Sequence, residues 1–227
     1  MTNAAVFEGE MAMAFLDQLL EATAPEPRGA RLFGVVVGTV TNNQDPDGLG
    51  RVKVKFPWLS DQDESTWARL AVPMAGNGRG TYFLPEVDDE VLVAFEQGDP
   101  RFPYVLGALW NGKDKPPADN ADGKNNLRVL RSRSGHTIRL NDEAGKETIE
   151  IIDKSGENKL VIDTASNAIT LTSKQDITLT APQGTITLEA QKLALKSSAD
   201  TKIEASAGMD LKANGTMNCK GATINLN

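Results

Sequence analysis

Histidine and cysteine each occur once in these 227 residues, and aromatic residues make up only 5%. With His136 as the sole histidine, a single-chain Cys/His zinc site is excluded and a His-based catalytic relay rests on that one residue. Cys219 cannot form an intrachain disulfide, which fits a chain that folds in a reducing cytosol. The low aromatic content beside 40% hydrophobic residues is thin for two well-filled cores, so part of the fold must bury its apolar surface in another way. Basic residues are outnumbered, 24 Lys and Arg against 31 Asp and Glu, for a net charge of −7. That balance opposes a phosphate-backbone partner, so no nucleic acid is expected. Long apolar runs are missing too: Glu8, Glu10 and Asp17 interrupt the N-terminal region, and neither a Sec-type signal nor a membrane span is expected.

Residues 1–29 read as an amphipathic helix followed by a proline linker. Phe7, Met11, Phe15 and Leu19 recur at i, i+4 spacing beside Leu16 and Leu20, with acidic residues between them, which predicts a helix over 4–22. Pro25 and Pro27 end it. Two readings of the stripe stand side by side: packing on the chain's own barrel, and docking on a partner or a neighbouring protomer.

Over 30–112 the pattern becomes short β-rich runs, including 32–40, 50–56, 67–72 and 90–95, divided by Gly, Pro and Asp turns. Five or six short strands with no helical crossover predict a small all-β barrel of the OB type. Residues 113–126, with two prolines and several Asp, Asn and Lys, read as a solvated linker.

The last hundred residues carry a repeat. Apolar pairs fall at Leu127/Val129, Ile138/Leu140, Ile149/Ile151 and Leu160/Ile162, 11 residues apart. Further pairs follow at Ile169/Leu171, Ile177/Leu179, Ile186/Leu188, Leu193/Leu195, Thr201/Ile203, Met209/Leu211, Met217/Cys219 and Ile224/Leu226, at a period averaging eight. Thr, Lys and Glu occupy the alternate positions, so each strand has one apolar and one wet face. The Asn141–Gly145 and Asp153–Gly156 turns suit hairpins. Residues 127–163 therefore read as an antiparallel meander, and 164–227 as an octad needle.

A repeat of eight is too short for a single-chain solenoid to close around its own apolar stripe. Three chains about a common axis solve this, each giving one wall of a triangular prism. The expected trimer core is Ile169, Leu171, Ile177, Leu179, Ile186, Leu188, Leu193, Leu195, Ile203, Met209, Leu211, Met217 and Cys219. The fold class is thus all-β: an OB barrel followed by an intertwined trimeric β-helix, with a short N-terminal helix.

The phrase Asp45-Pro46-Asp47-Gly48-Leu49-Gly50-Arg51-Val52-Lys53-Val54 resembles the OB domain of the phage baseplate assembly protein V family and of the related VgrG spikes of contractile injection systems. The resemblance continues through 82–87, 90–95, 98–100, 103–112 and Arg133-Ser134-Gly135-His136-Thr137-Ile138. It implies a structural homotrimeric spike, made in the cytoplasm and carried at the baseplate of a phage tail or tail-like particle. Such a spike pierces a target envelope on sheath contraction, touching the target membrane transiently. Longer spikes of this kind carry a hub ahead of the barrel. Only about 30 residues precede the barrel here, so a separate hub protein is expected, with Phe7, Met11, Phe15 and Leu19 as candidate contacts. Other relatives end in a metal-binding His-x-His tip. Here the end is Ile224-Asn225-Leu226-Asn227, which is similar to spikes capped by a PAAR-type tip protein, and these four residues are the candidate tip contacts. Other baseplate and inner-tube proteins complete the expected partners.

No catalytic, cofactor-binding or metal-binding residue is assigned. His136 reads as a turn residue and Cys219 as a small buried hydrophobe. Asp45 and Asp47 lack the further ligands of a calcium loop, so a hairpin loop is expected there. The glycines of 76–80 lack a Gly-Lys-Ser/Thr ending and read as a mobile loop. Arg51, Lys53 and Lys55 share one strand face, which reads as solvated, as meeting acidic groups on a hub, or as an oligonucleotide face with Trp58 or Trp67 for stacking. Two other functions stand as alternatives: a β-helix enzyme degrading envelope polysaccharide, which would need clustered acidic residues, and an OB-type nucleic-acid binder.

Overall fold

The computed structural model describes residues 31–60 and 63–225; the stretch predicted as a helix lies outside them. Among the described residues, seven strands build the first part: β1 (Val35–Asn42), β2 (Lys53–Lys55), β3 (Arg69–Leu70), β4 (Ala75–Gly76), β5 (Arg79–Gly80), β6 (Glu90–Phe95) and β7 (Pro103–Ala108). Five of them form one sheet in the order β2-β1-β6-β7-β3. A bridge between Val52 and Ala68, with hydrogen bonds of 3.0 and 2.7 Å, joins the two ends of that order. The ring closes without a free edge at this point, as an OB-type barrel requires.

Strict alternation makes the core. Along β6, Val91, Val93 and Phe95 are buried while Glu90, Leu92 and Ala94 are not. They meet Val40, Val52, Val54, Phe56, Ala68 and Val105. Phe56 and Phe95 pack edge to face with centroids 5.5 Å apart, the arrangement that ring quadrupoles favour. Gly38 of β1 is required by this packing: a Cβ there would press on the Val54 side chain and lie 3.1 Å from the Phe56 ring.

Five more strands follow: β8 (Leu127–Arg131), β9 (Thr137–Asn141), β10 (Thr148–Ile152), β11 (Lys159–Asp163) and β12 (Ala168–Thr172). All pair antiparallel with their chain neighbours. Glycines in the left-handed region turn three of the hairpins, Gly135, Gly145 and Gly156, and Asn167 turns the fourth at φ 52°. The antiparallel ladder runs one strand beyond 163. The four-residue turn 164–167 is short enough for a further hairpin, and the Asp163 carboxylate accepts a hydrogen bond from the Ser166 N–H at 3.1 Å inside it.

One pairing differs from expectation. Leu127 stands opposite Asn141, and Val129 opposite Arg139, so this pair lies on the polar face. Leu130, opposite Ile138, takes the apolar place. Two apolar alternations overlap in Leu127-Arg128-Val129-Leu130, and a one-residue change of register exchanges the faces.

Residues 173–227 form a separate unit. Its described residues contain no helix or strand. Turns or bends fall at 174–175, 182–184, 191–192, 198–199, 206–207, 214–215 and 222. Each separates two successive apolar pairs of the octad repeat.

Candidate functional site

The apolar face of the five-stranded meander is left open among the described residues. One row across it reads Leu140, Ile149, Ile162, Ile169, and the next Leu130, Ile138, Ile151, Leu160, Leu171. Directly opposed residues of an antiparallel sheet stand about 4.5–5.5 Å apart, so each row is continuous. Yet Ile138, Leu140, Ile149, Ile151 and Leu171 are exposed, and Ile169 reaches 73%. On the other face the Arg139 guanidinium pairs with the Glu150 carboxylate, itself largely covered. The greasy side is thus the open one.

The octad unit repeats this. Ile177, Leu179, Ile186, Leu188, Leu193, Leu195, Ile203, Met209, Leu211, Met217 and Ile224 are all exposed, as is Cys219. Within it the Gly184 N–H donates to the Ala181 carbonyl at 3.2 Å. Each leucine left in water forgoes roughly 1.5–3 kcal/mol of burial unless another chain covers it. Asn225 is exposed; Leu226, Asn227 and the stripe Phe7, Met11, Phe15, Leu19 lie outside the described residues.

The polar candidates are spent on local structure. Asp45 accepts hydrogen bonds from the backbone N–H groups of Asp47, Leu49 and Arg51, at 3.1, 3.0 and 3.2 Å. The Arg51 guanidinium fills the place that a cation would take, and it holds the Asp45 carboxyl far below the usual carboxylate range. The hairpin-loop reading describes this geometry. Arg51 and Lys53 stand over the Trp67 ring at 5.9 and 5.5 Å, and Lys53 also pairs with Glu64 at 3.2 Å. Trp67 is therefore covered by cations of its own chain rather than open for base stacking. Residues 76–80 are a tight hairpin, with Ala75 opposite Gly80 and Gly76 opposite Arg79, not the loop expected. Asn77-Gly78 supplies the dipeptide that two-residue hairpins favour, and Gly78 has φ 64°.

The Arg133-Ser134-Gly135-His136 phrase forms the β8–β9 turn. The Ser132 N–H donates to the His136 carbonyl at 2.9 Å, and His136 Nδ1 accepts from the Lys154 N–H of the neighbouring turn at 3.3 Å. Arg133 reaches back to Glu86 of the barrel at 2.6 Å. Among the described residues no three His, Cys, Asp or Glu side chains gather as a metal site, and no helix is long and apolar enough to cross a membrane.

One surface escaped the sequence reading. The outer side of the barrel carries Val35 and Val37 on β1, Leu92 and Ala94 on β6, and Leu106 on β7. The run Val35-Val36-Val37, which has no polar alternate, was its signal.

Residues 36–110 match the family model described as the type VI secretion system/phage-baseplate injector OB domain. The chain is 31% identical over 162 residues to the type VI secretion system spike protein VgrG1a of Pseudomonas aeruginosa, covering 66% of this chain and 25% of that protein. It is 33% identical over 129 residues to the spike protein VgrG3 of Vibrio cholerae, covering 51% and 13%. It is 30% identical over 138 residues to the actin cross-linking toxin VgrG1 of Vibrio cholerae, covering 55% and 12%. The chain thus spans a quarter or less of the length of these relatives. The closed barrel agrees with these matches: residues 36–110 match the injector OB domain of type VI secretion systems and phage baseplates, in a chain that is similar to VgrG spike proteins.

Proposed function

We propose that this chain is the structural central spike of a contractile tail or injection-system baseplate, a homotrimer that pierces the target envelope when the sheath contracts. The octad unit supports this most: its apolar pairs recur between regular bends, all exposed. Three copies supply walls for the leucines and strands for the backbone. The axis is then lined from Ile169 to Cys219, and the wet Thr, Lys and Glu face outward. At −7 per chain, the trimer carries −21, as suits a rod that must not stick to nucleic acid.

The chemistry of such a part is burial and closure, so the chain is read as non-enzymatic. Its partners in this reading are a hub protein at the barrel end, a PAAR-type protein at the needle tip and the neighbouring baseplate and inner-tube proteins.

Sedimentation of the full chain, with unheated samples on SDS gels, tests the trimer. A three-chain species that survives SDS until heated supports the reading, and a monomer that melts at low temperature overturns it. For the piercing role, intact particles carrying the unaltered chain should breach target cells on contraction, and particles that breach them equally well without this chain overturn that role.

A further inference from the structure

The outer barrel stripe lies on three adjacent strands. Val35 stands opposite Ala94 and Val37 opposite Leu92, while Leu92 stands opposite Gly107 across β6 and β7. Val35, Val37 and Leu106 are exposed. Gly107 leaves a gap in the stripe, because a Cβ there would meet nothing within 4 Å. Three strands at about 4.8 Å spacing give a strip about 10 Å wide, the diameter of one helix.

We infer that this stripe is the docking site for residues 4–22 of the same chain, seated through Phe7, Met11, Phe15 and Leu19. Length is the first argument. A helix over 4–22 would run about 28 Å, and the eight residues of β1 about 26 Å.

Position is the second. The described chain starts beside the stripe: the Leu32 N–H donates to the Gly98 carbonyl at 2.8 Å, and the Phe33 ring lies against Gly98, just before Val35. Residues 23–30 can reach at most about 26–29 Å when extended, ample for the chain to fold back along β1.

Charge is the third. Residues 1–27 contain Glu8, Glu10, Asp17, Glu21 and Glu26 and no Lys or Arg. Two cations flank the stripe, Lys55 next to Thr39 on one side and Arg69 next to Tyr104 on the other. Carboxylates stand on this face too: Glu90 opposite Thr39 at the far end from Val35, Glu64 opposite Lys55 and paired with Lys53, and Glu96, which accepts from the Tyr104 hydroxyl at 2.8 Å. An amphipathic helix laying its apolar face on an apolar surface is a recurrent recognition mode, and Lys55 and Arg69 are cations within its reach. The inference does not depend on how the shaft assembles.

Hydrogen exchange on the full chain tests it. In the unaltered protein the amides of 4–22 should exchange at least tenfold more slowly than in a synthetic peptide of that segment. Val37→Asp and Gly107→Trp should each abolish the difference. Gly107 has ordinary φ and open space at its Cβ, so this variant leaves the barrel folded. Free exchange of 4–22 in the unaltered protein, or protection that survives both variants, overturns the inference. A Cys219→Ser chain carrying Leu16→Cys and Leu106→Cys, treated with a short bis-maleimide, separates own chain from second copy. Internally linked single chains on a reducing, heated gel support it, and linked dimers and trimers overturn it.

Discussion

Arg51 grips Asp45 with two parallel contacts, Nε on Oδ2 at 2.9 Å and Nη2 on Oδ1 at 2.7 Å, and takes Asp47 as well at 2.5 Å. The loop between β1 and β2 is closed by this fork. A planar guanidinium against a carboxylate is among the stronger polar pairings, and the Asp45 side chain is only 3% exposed. With three backbone donors on the same carboxylate, the loop has a fixed shape from which β2 departs.

The fork makes barrel stability depend on pH with a definite sign. The Asp45 carboxyl is lowered first by Arg51 and further by its backbone donors. A group whose folded pKa lies below its unfolded value, about 4 for Asp, stabilises above the unfolded value and loses that contribution as pH falls toward the folded one. Asp153, lowered to about 2 chiefly by Ser155, acts in the same direction in the β10–β11 turn. Asp45→Asn should lower the melting temperature by a constant amount above about pH 5. The gap should narrow below about pH 4, where Asp45 of the unfolded chain takes up a proton while the folded carboxylate still resists it. Melting curves from pH 2 to 7 check this, and a gap that widened in acid would contradict it.

Gly38→Ala should destabilise the barrel by about 1–3 kcal/mol, the usual penalty for overfilling a packed core. The added methyl presses on Val54, which is fully buried, and on Lys55 O at 3.0 Å. Gly107→Ala in the same sheet meets open space and should change stability by less than about 0.5 kcal/mol. Urea unfolding of the two variants side by side reads the contrast.

These sites show how far the sequence could be read. Alternation placed β6 at its observed bounds, because Val91, Val93 and Phe95 are apolar between less buried neighbours. The bends of the octad unit fall where the period of eight puts them, since a short strand leaves room only for a turn before the next. Local pattern could not set the register at Leu127-Arg128-Val129-Leu130, where two alternations compete and only pairing with Ile138 decides. Nor could it show that Arg51 and Lys53 turn inward to Asp45, Glu64 and Trp67, because their partners arrive from other turns of the chain.

The Arg133–Glu86 pair should contribute little. Both side chains are open to solvent, Arg133 at 81%, and exposed ion pairs are worth about 0–1 kcal/mol. Glu86→Gln should therefore shift stability by less than about 1 kcal/mol, and the shift should vanish near 1 M salt, where charges are screened within about 3 Å. Thermal melts at low and high ionic strength measure it. A large, salt-independent loss would mean that Glu86 serves the fold through some other contact.

The needle offers the sharpest contrast. Leu195 and Leu211 are each 73% exposed in a single chain, and in a three-chain prism each set of three meets at the axis. Burying one leucine is worth roughly 1.5–3 kcal/mol, so a position loses that contribution three times when it is changed. Leu→Asp adds three carboxylates to an apolar axis, where desolvation and mutual repulsion both oppose ionisation. Leu195→Asp and Leu211→Asp should abolish the SDS-resistant species. Thr178→Asp and Thr187→Asp, on the alternate face, should leave it intact. Unheated gels and sedimentation of the four variants decide the matter, because equal behaviour of the two sets would reverse the assignment of inside and outside.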